Sequence, residues 1–143
     1  MKTLYKAQAT ATGGRNGQVK SSDDVLNLEV RMPKELGGTG GDFTNPEQLF
    51  AAGYSACFDS ALNHVARQQK ISIKNTEVTA TVGIGSIPSG GFGLEVALEV
   101  KIPGVARDVA EKLLQTAHQV CPYSNATRNN IEVSLTLVNE ELV

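Results

Sequence analysis

Asn45-Pro46-Glu47-Gln48-Leu49-Phe50-Ala51-Ala52-Gly53-Tyr54-Ser55-Ala56-Cys57-Phe58 sets the frame of the fold. The stretch opens as a helix. Asn45 is a good N-cap, Pro46 suits the first helical position, and Gln48 can close a capping box. The helical pattern runs to about Gln69. Its middle, Ala51 to Cys57, is made of small residues, which let other backbone come close. A buried central helix with Cys57 near its middle is therefore expected.

On the N-terminal side the chain reads as strands. Thr3 to Thr10 mixes β-formers, Gln18 to Ser22 follows, and Val25 to Arg31 sets Leu26, Leu28 and Val30 on one face by period two. Gly13-Gly14-Arg15-Asn16-Gly17 is a turn cluster. Gly37-Gly38-Thr39-Gly40-Gly41 reads as a flexible connector, too rich in glycine to pack. It lacks the Lys-Ser/Thr ending of a phosphate loop.

On the C-terminal side, Glu77 to Ile87 and Leu94 to Ile102 form a hairpin about Pro88-Ser89-Gly90-Gly91. Arg107 to Val120 is a second helix, with Val109, Leu113, Ala117, Val120 and Cys121 on one face. Pro122 disfavours helical geometry at Cys121, so the helix should end there. Ile131 to Val138 is a last strand. The order βββ-α-ββ-α-β gives an α+β fold with largely antiparallel pairing, in one domain over residues 1–143.

Composition narrows the function. The apolar fraction is 41%, the charged fraction 20% and the formal net charge -2. These values fit a globular chain and argue against a nucleic-acid surface. No apolar run approaches the roughly 20 residues that cross a bilayer. The N-terminus lacks the apolar core of a signal peptide, so a cytoplasmic location with reduced thiols is expected.

Two cysteines and two histidines carry most of the candidate chemistry. As a Cys2His2 metal set, Cys57, His64, His118 and Cys121 are poorly spaced. Seven residues on a helix separate Cys57 from His64, a rise of about 10.5 Å. A cysteine hydrolase would need a histidine base at the thiol and would leave Cys121 without a role. A thioredoxin-type Cys-x-x-Cys is absent. On position alone both cysteines read as core residues, since free Cys is among the most buried types. Likewise Arg15 alone reads as a solvated turn charge, and Glu47 as a first-turn carboxylate suited to the helix dipole.

Three blocks change that balance: Gly13 to Gly17, Asn45 to Phe58, and Val120-Cys121-Pro122-Tyr123-Ser124-Asn125-Ala126-Thr127-Arg128. Together they resemble the signatures of the organic hydroperoxide resistance (Ohr) proteins of the OsmC/Ohr family, in that family's order and spacing. Asn129 stands where many relatives have glycine, and Asn tolerates left-handed backbone. The resemblance implies a peroxidase that reduces organic hydroperoxides to alcohols, with Cys57 peroxidatic, Cys121 resolving, and Arg15 and Glu47 as polar partners. It implies no bound cofactor or metal, dihydrolipoyl groups (dihydrolipoamide or lipoylated proteins) as reducing co-substrate, and an intertwined homodimer. The glycine connector, by letting the first strands pair elsewhere, points the same way.

The implied roles are physically coherent. A guanidinium near a thiol favours the thiolate, and a shift of about two pH units takes roughly 2.7 kcal/mol. Glu47 can hold that guanidinium bidentately. Phe43, Phe50, Tyr54 and Phe58 lie near Cys57 in sequence and would favour bulky or fatty hydroperoxides over hydrogen peroxide. Two other readings stand beside this one: an OsmC-type relative with a different peroxide preference, and a non-enzymatic binding protein whose cysteines are core.

Overall fold

The structure, a computed structural model, describes residues 1–138. It is an α+β protein with two three-stranded sheets, β1-β2-β3 and β4-β5-β6. The described residues group into two compact units, the first over residues 1–49 and the second beginning at Phe50.

In the first unit, β1 (Ala9–Thr12), β2 (Gly17–Ser21) and β3 (Asn27–Val30) form an antiparallel meander. The expected strand over Thr3 to Thr10 begins only at Ala9. The β1–β2 ladder runs out at the pair Ala9↔Ser21, because Ser21 to Asp24 turns the chain away; one further bond, from Ser22 N–H to the Gln8 carbonyl at 2.9 Å, closes it. The Ser21 hydroxyl holds that turn: it accepts from Leu26 N–H at 2.9 Å and donates to Asp23 at 2.6 Å. Only Val30 of the expected Leu26, Leu28, Val30 face is buried. The glycine segment is not a loose connector. Its amides at Gly37, Gly38 and Gly40 donate to Lys34, Pro33 and Met32 carbonyls, following a 3-10 turn at Lys34–Leu36. Gly38 packs so closely on the Met32 carbonyl that no Cβ fits there.

Helix α1 spans Pro46–Gln68. Asn45 caps it as expected, its side-chain oxygen accepting from Gln48 N–H at 2.9 Å. The Gln48 side chain does not close the capping box; its oxygen accepts from Thr44 Oγ1.

The second unit holds most of the core. There β4 (Glu77–Ser86) and β5 (Phe92–Lys101) form the expected hairpin, α2 (Arg107–Val120) and α3 (Pro122–Thr127) follow, and β6 (Val133–Leu137) closes the sheet. Strand β6 pairs parallel to β5, whereas the other three strand pairings are antiparallel. The helical segment between them supplies the crossover that a parallel pair requires. In β5, Val96, Leu98 and Val100 are buried while Glu95 and Glu99 are exposed, the period-two signature of a sheet packed on one face. They meet Tyr54, Phe58, Leu62 and Val65 of α1 and Leu113, Leu114 and Ala117 of α2 in one cluster. Each large side chain so buried contributes about 1.5–3 kcal/mol.

Helix α1 is buried along one stripe rather than all round: Ala52, Ala56 and Ser60 are exposed. In α2, Val120 is also exposed, and Leu114 and Ala110 take the inward positions. Helix α3 was not expected. Pro122 does end α2, with Cys121 at φ -59° and ψ 123°, but a proline also suits the first position of a new helix.

Candidate active site

The first unit places Arg15 and Glu47 together. Arg15 sits in the β1–β2 turn, where Gly13 and Gly14 take φ of 78° and 58° and Asn16 N–H closes on the Gly13 carbonyl. Gly17 faces the Thr12 carbonyl with no room for a Cβ, so the hairpin closes tightly under Arg15. Its guanidinium donates to Glu47 through two parallel bonds, Nη2 to Oε1 at 2.8 Å and Nη1 to Oε2 at 3.1 Å. The side chains are 27% and 13% exposed, so solvent screens the pair only partly. A fork-to-fork pair fixes the guanidinium plane as well as its position.

The second unit brings the two cysteines together. Cys57 lies on α1, half-buried at the rim of the core. Cys121 is fully buried at the junction of α2 and α3, serving as C-cap of one helix and N-cap of the other. Both are free thiols. Burial pushes the Cys57 thiol above its ordinary pKa, the Tyr123 backbone N–H bonded to its sulfur pulls it down, and Cys121 raises it through charge and a hydrogen bond. Tyr123 lies in the first turn of α3, whose amides have no intrahelical acceptor. One of these orphan donors is thus directed at the sulfur on α1.

Aromatic residues surround the pair on the α1 side. Tyr123 packs against Phe50 with centroids 6.0 Å apart and against Tyr54 at 5.6 Å. Tyr54 and Phe58 are fully buried core residues, while Phe50 is partly buried. Phe43 belongs to the first unit, where the Arg31 guanidinium stacks over its ring at 4.8 Å.

The histidines part company. His64 is exposed on α1. His118 is half-buried, its Nδ1 2.8 Å from Ser124 Oγ. No group of three or more His, Cys, Asp or Glu gathers as a metal-binding set among the described residues. Composition and periodicity did not point to the contributions of Tyr123 or Ser124. The signal was Pro122, which can begin a helix whose first amides lie next to Cys121. Asn129, with φ 64°, does occupy the left-handed region.

Comparison with known proteins yields a consistent set. Residues 38–136 match the family described as OsmC-like protein. An organic hydroperoxide resistance protein of Xanthomonas axonopodis pv. citri is 56% identical over 137 residues, 95% of this chain and 96% of that one. The crystal structure of an organic hydroperoxide resistance protein from Elizabethkingia anophelis, with thiocyanate bound, superposes at TM-score 0.94 with 65% identity, covering 98% of this chain and all of that one. The organic hydroperoxide resistance protein OhrB of Bacillus subtilis superposes at 0.87 with 45% identity, covering 95% and 100%.

Proposed function

Because the chain belongs to the OsmC/Ohr family, we propose that it is a thiol peroxidase that reduces organic hydroperoxides, including fatty ones, in oxidative-stress defence. The observation that carries this reading is that Cys57 and Cys121 are free thiols close enough to act on each other, one half-buried and the other fully buried. That asymmetry suits a division of labour in which the accessible thiol attacks and the buried one waits.

In the first step the Cys57 thiolate attacks one oxygen of the peroxide bond. The O–O bond breaks, the alkoxide takes a proton and leaves as alcohol, and Cys57 becomes a sulfenic acid. In the second step Cys121 attacks that sulfur. A disulfide forms and the hydroxyl leaves as water. A dihydrolipoyl dithiol then reduces the disulfide by exchange, regenerating two thiols and becoming a cyclic disulfide itself. The cycle needs no bound cofactor or metal.

By resemblance, Arg15 is the guanidinium that favours the Cys57 thiolate, and Glu47 holds it in attacking geometry. Support comes from the bidentate ion pair, which leaves Arg15 charged and oriented. Something must offset the upward push of burial on Cys57, and the Tyr123 amide is one such contribution.

The reading includes a homodimer. Its support is a first sheet whose β1 is exposed at every residue, together with exposed Leu4, Tyr5, Val25 and Phe92 and the small exposed face of α1. Short three-stranded sheets need a covering layer, and a second copy of the chain would supply one. Cytoplasmic location fits two free thiols. No helix among the described residues is long and apolar enough to cross a membrane.

The deciding experiment measures consumption of tert-butyl hydroperoxide with dihydrolipoamide, thioredoxin or glutathione as reductant. Turnover with dihydrolipoamide well above the other two is expected. Failure to lose both thiols after one equivalent of peroxide would overturn the peroxidase reading. Equal turnover with all three would overturn only the choice of electron donor.

A further inference from the structure

A run of buried hydrogen bonds lies beside the thiols and takes no part in the cycle just described. Tyr54 Oη is 2.8 Å from Ser124 Oγ and 3.2 Å from Thr127 Oγ1. His118 Nδ1 is 2.8 Å from Ser124 Oγ, and Thr127 Oγ1 donates to the Ser124 carbonyl at 3.2 Å. Tyr54 and Ser124 are wholly buried and Thr127 is 2% exposed.

The proton count gives this run a direction. Each hydroxyl has one proton, and a carbonyl can only accept. Thr127 directs its proton to the Ser124 carbonyl, so its oxygen accepts from Tyr54. Tyr54 Oη, having donated, accepts from Ser124. Ser124 Oγ, having donated, accepts from His118. The run therefore requires a proton on His118 Nδ1. In the neutral ring that is the Nδ1–H tautomer, with Nε2 as the acceptor. Burial first, and the Arg128 charge second, hold the His118 pKa below its ordinary value, which keeps the ring neutral near pH 7. Arg128 itself donates to the His118 carbonyl at 2.5 Å and to Asn125 Oδ1 at 2.6 Å, tying the end of α3 to α2.

The same helices carry the redox pair. Tyr54 and Cys57 are one turn apart on α1, and Tyr123 and Ser124 are neighbours in α3. The Tyr54–Ser124 bond and the bond from the Tyr123 amide to the Cys57 sulfur are consequently adjacent rungs between α1 and α3. Releasing the first lets the second lengthen, and it shifts Cys121, the N-cap of α3.

We propose that Ser124, oriented by Tyr54 and by the Nδ1–H of His118, is a positioning residue that keeps the Tyr123 amide on the Cys57 thiolate and Cys121 within reach of the Cys57 sulfenic acid. This deepens the peroxidase reading and rests on it for the second effect alone.

The test uses the full chain. In a Cys121→Ser background, the pH profile of Cys57 alkylation by iodoacetamide gives the thiolate pKa without any peroxide. Ser124→Ala and Tyr54→Phe should each raise it by about one pH unit, the loss of one hydrogen bond to the charged form. With both cysteines present, the same changes should slow conversion of sulfenic acid to disulfide about tenfold. His118→Asn, which retains an N–H near the Nδ1 position, should restore most of what His118→Leu loses. Nitrogen NMR of the His118 ring should show the proton on Nδ1.

Where Ser124→Ala does not fold, the near-isosteric Tyr54→Phe decides. An unchanged alkylation profile in folded Tyr54→Phe would overturn the positioning role, and a ring protonated only at Nε2 would overturn the direction of the run. If the wild type consumes no peroxide, the peroxidase reading fails while the alkylation profile still judges the positioning.

Discussion

Replacing Gly53 by alanine should destabilise the protein, although the same change in an ordinary helix interior stabilises by about 1 kcal/mol. Gly53 lies one turn before Cys57 on α1, and the Tyr123 ring lies across it. A Cβ at this position would meet Tyr123 Oη at 2.5 Å, Cζ at 3.0 Å and Cε2 at 3.3 Å. Carbon contacts are comfortable near 3.5–4.0 Å, so the ring tip must retreat by about 1 Å. Two responses are open. A ring that stays bears the overlap, which in packed surroundings costs about 1–3 kcal/mol. If instead the ring swings towards solvent, it forfeits contacts with Phe50 and Tyr54, each worth about 0.5–1.5 kcal/mol. Either response outweighs the helical gain, and a net loss of about 1 kcal/mol is expected in urea unfolding of the reduced protein. The displaced Tyr123 should also loosen its amide from the Cys57 sulfur, raising the thiolate pKa seen by alkylation. The control is Tyr123→Ala, in which Gly53→Ala should recover its stabilisation of about 1 kcal/mol. If Gly53→Ala stabilises the wild type by that amount and leaves Cys57 reactivity unchanged, Tyr123 does not lie over the helix and the reasoning fails.

Cys57→Ser should abolish peroxide reduction, whereas Cys121→Ser should allow one oxidation per subunit, visible by mass spectrometry as sulfenic or over-oxidised Cys57. The reverse pattern would exchange the two roles. Arg15→Ala should raise the Cys57 pKa by about two pH units and cut single-turnover oxidation roughly 100-fold at neutral pH. Glu47→Ala should act in the same direction more weakly, since the guanidinium remains; equal effects would deny Glu47 a merely orienting role. The pKa of Cys57 is raised by burial in the folded state. Its buried neutral form contributes stability that is complete below the unfolded thiol range near pH 8.5 and is lost as pH rises through the folded value. In Arg15→Ala, where no guanidinium offsets burial, thermal melts of the reduced protein should therefore fall above about pH 8.5, and an added Cys57→Ser should lessen that fall.

Local chemistry alone determined a good part of this protein. Asn45 and Pro46 fix where α1 begins, because a side-chain acceptor and a preset φ act within one turn. Pro122 fixes where α2 stops, and Arg107–Val120 follows from its own period. The hairpin of Glu77–Ser86 and Phe92–Lys101 follows from alternation about a glycine turn. The pairing of Arg15 with Glu47 was legible only through the resemblance of whole blocks, since 32 residues separate them. Other features depend on partners distant in the chain. Residues before Ala9 carry β-formers, but β2 turns away after Ser21, so propensity there does not make a strand within one chain. The parallel seat of β6, the exposure of Val120 and the single buried stripe of α1 are set by what packs against them. At the site, local sequence offers two thiols far apart and, for the short helix between Cys121 and Arg128, only a proline suited to its first position. Tertiary packing turns that helix so that its free amide meets the Cys57 sulfur and its serine meets Tyr54. Those two contacts arise from through-space geometry, which no local periodicity encodes.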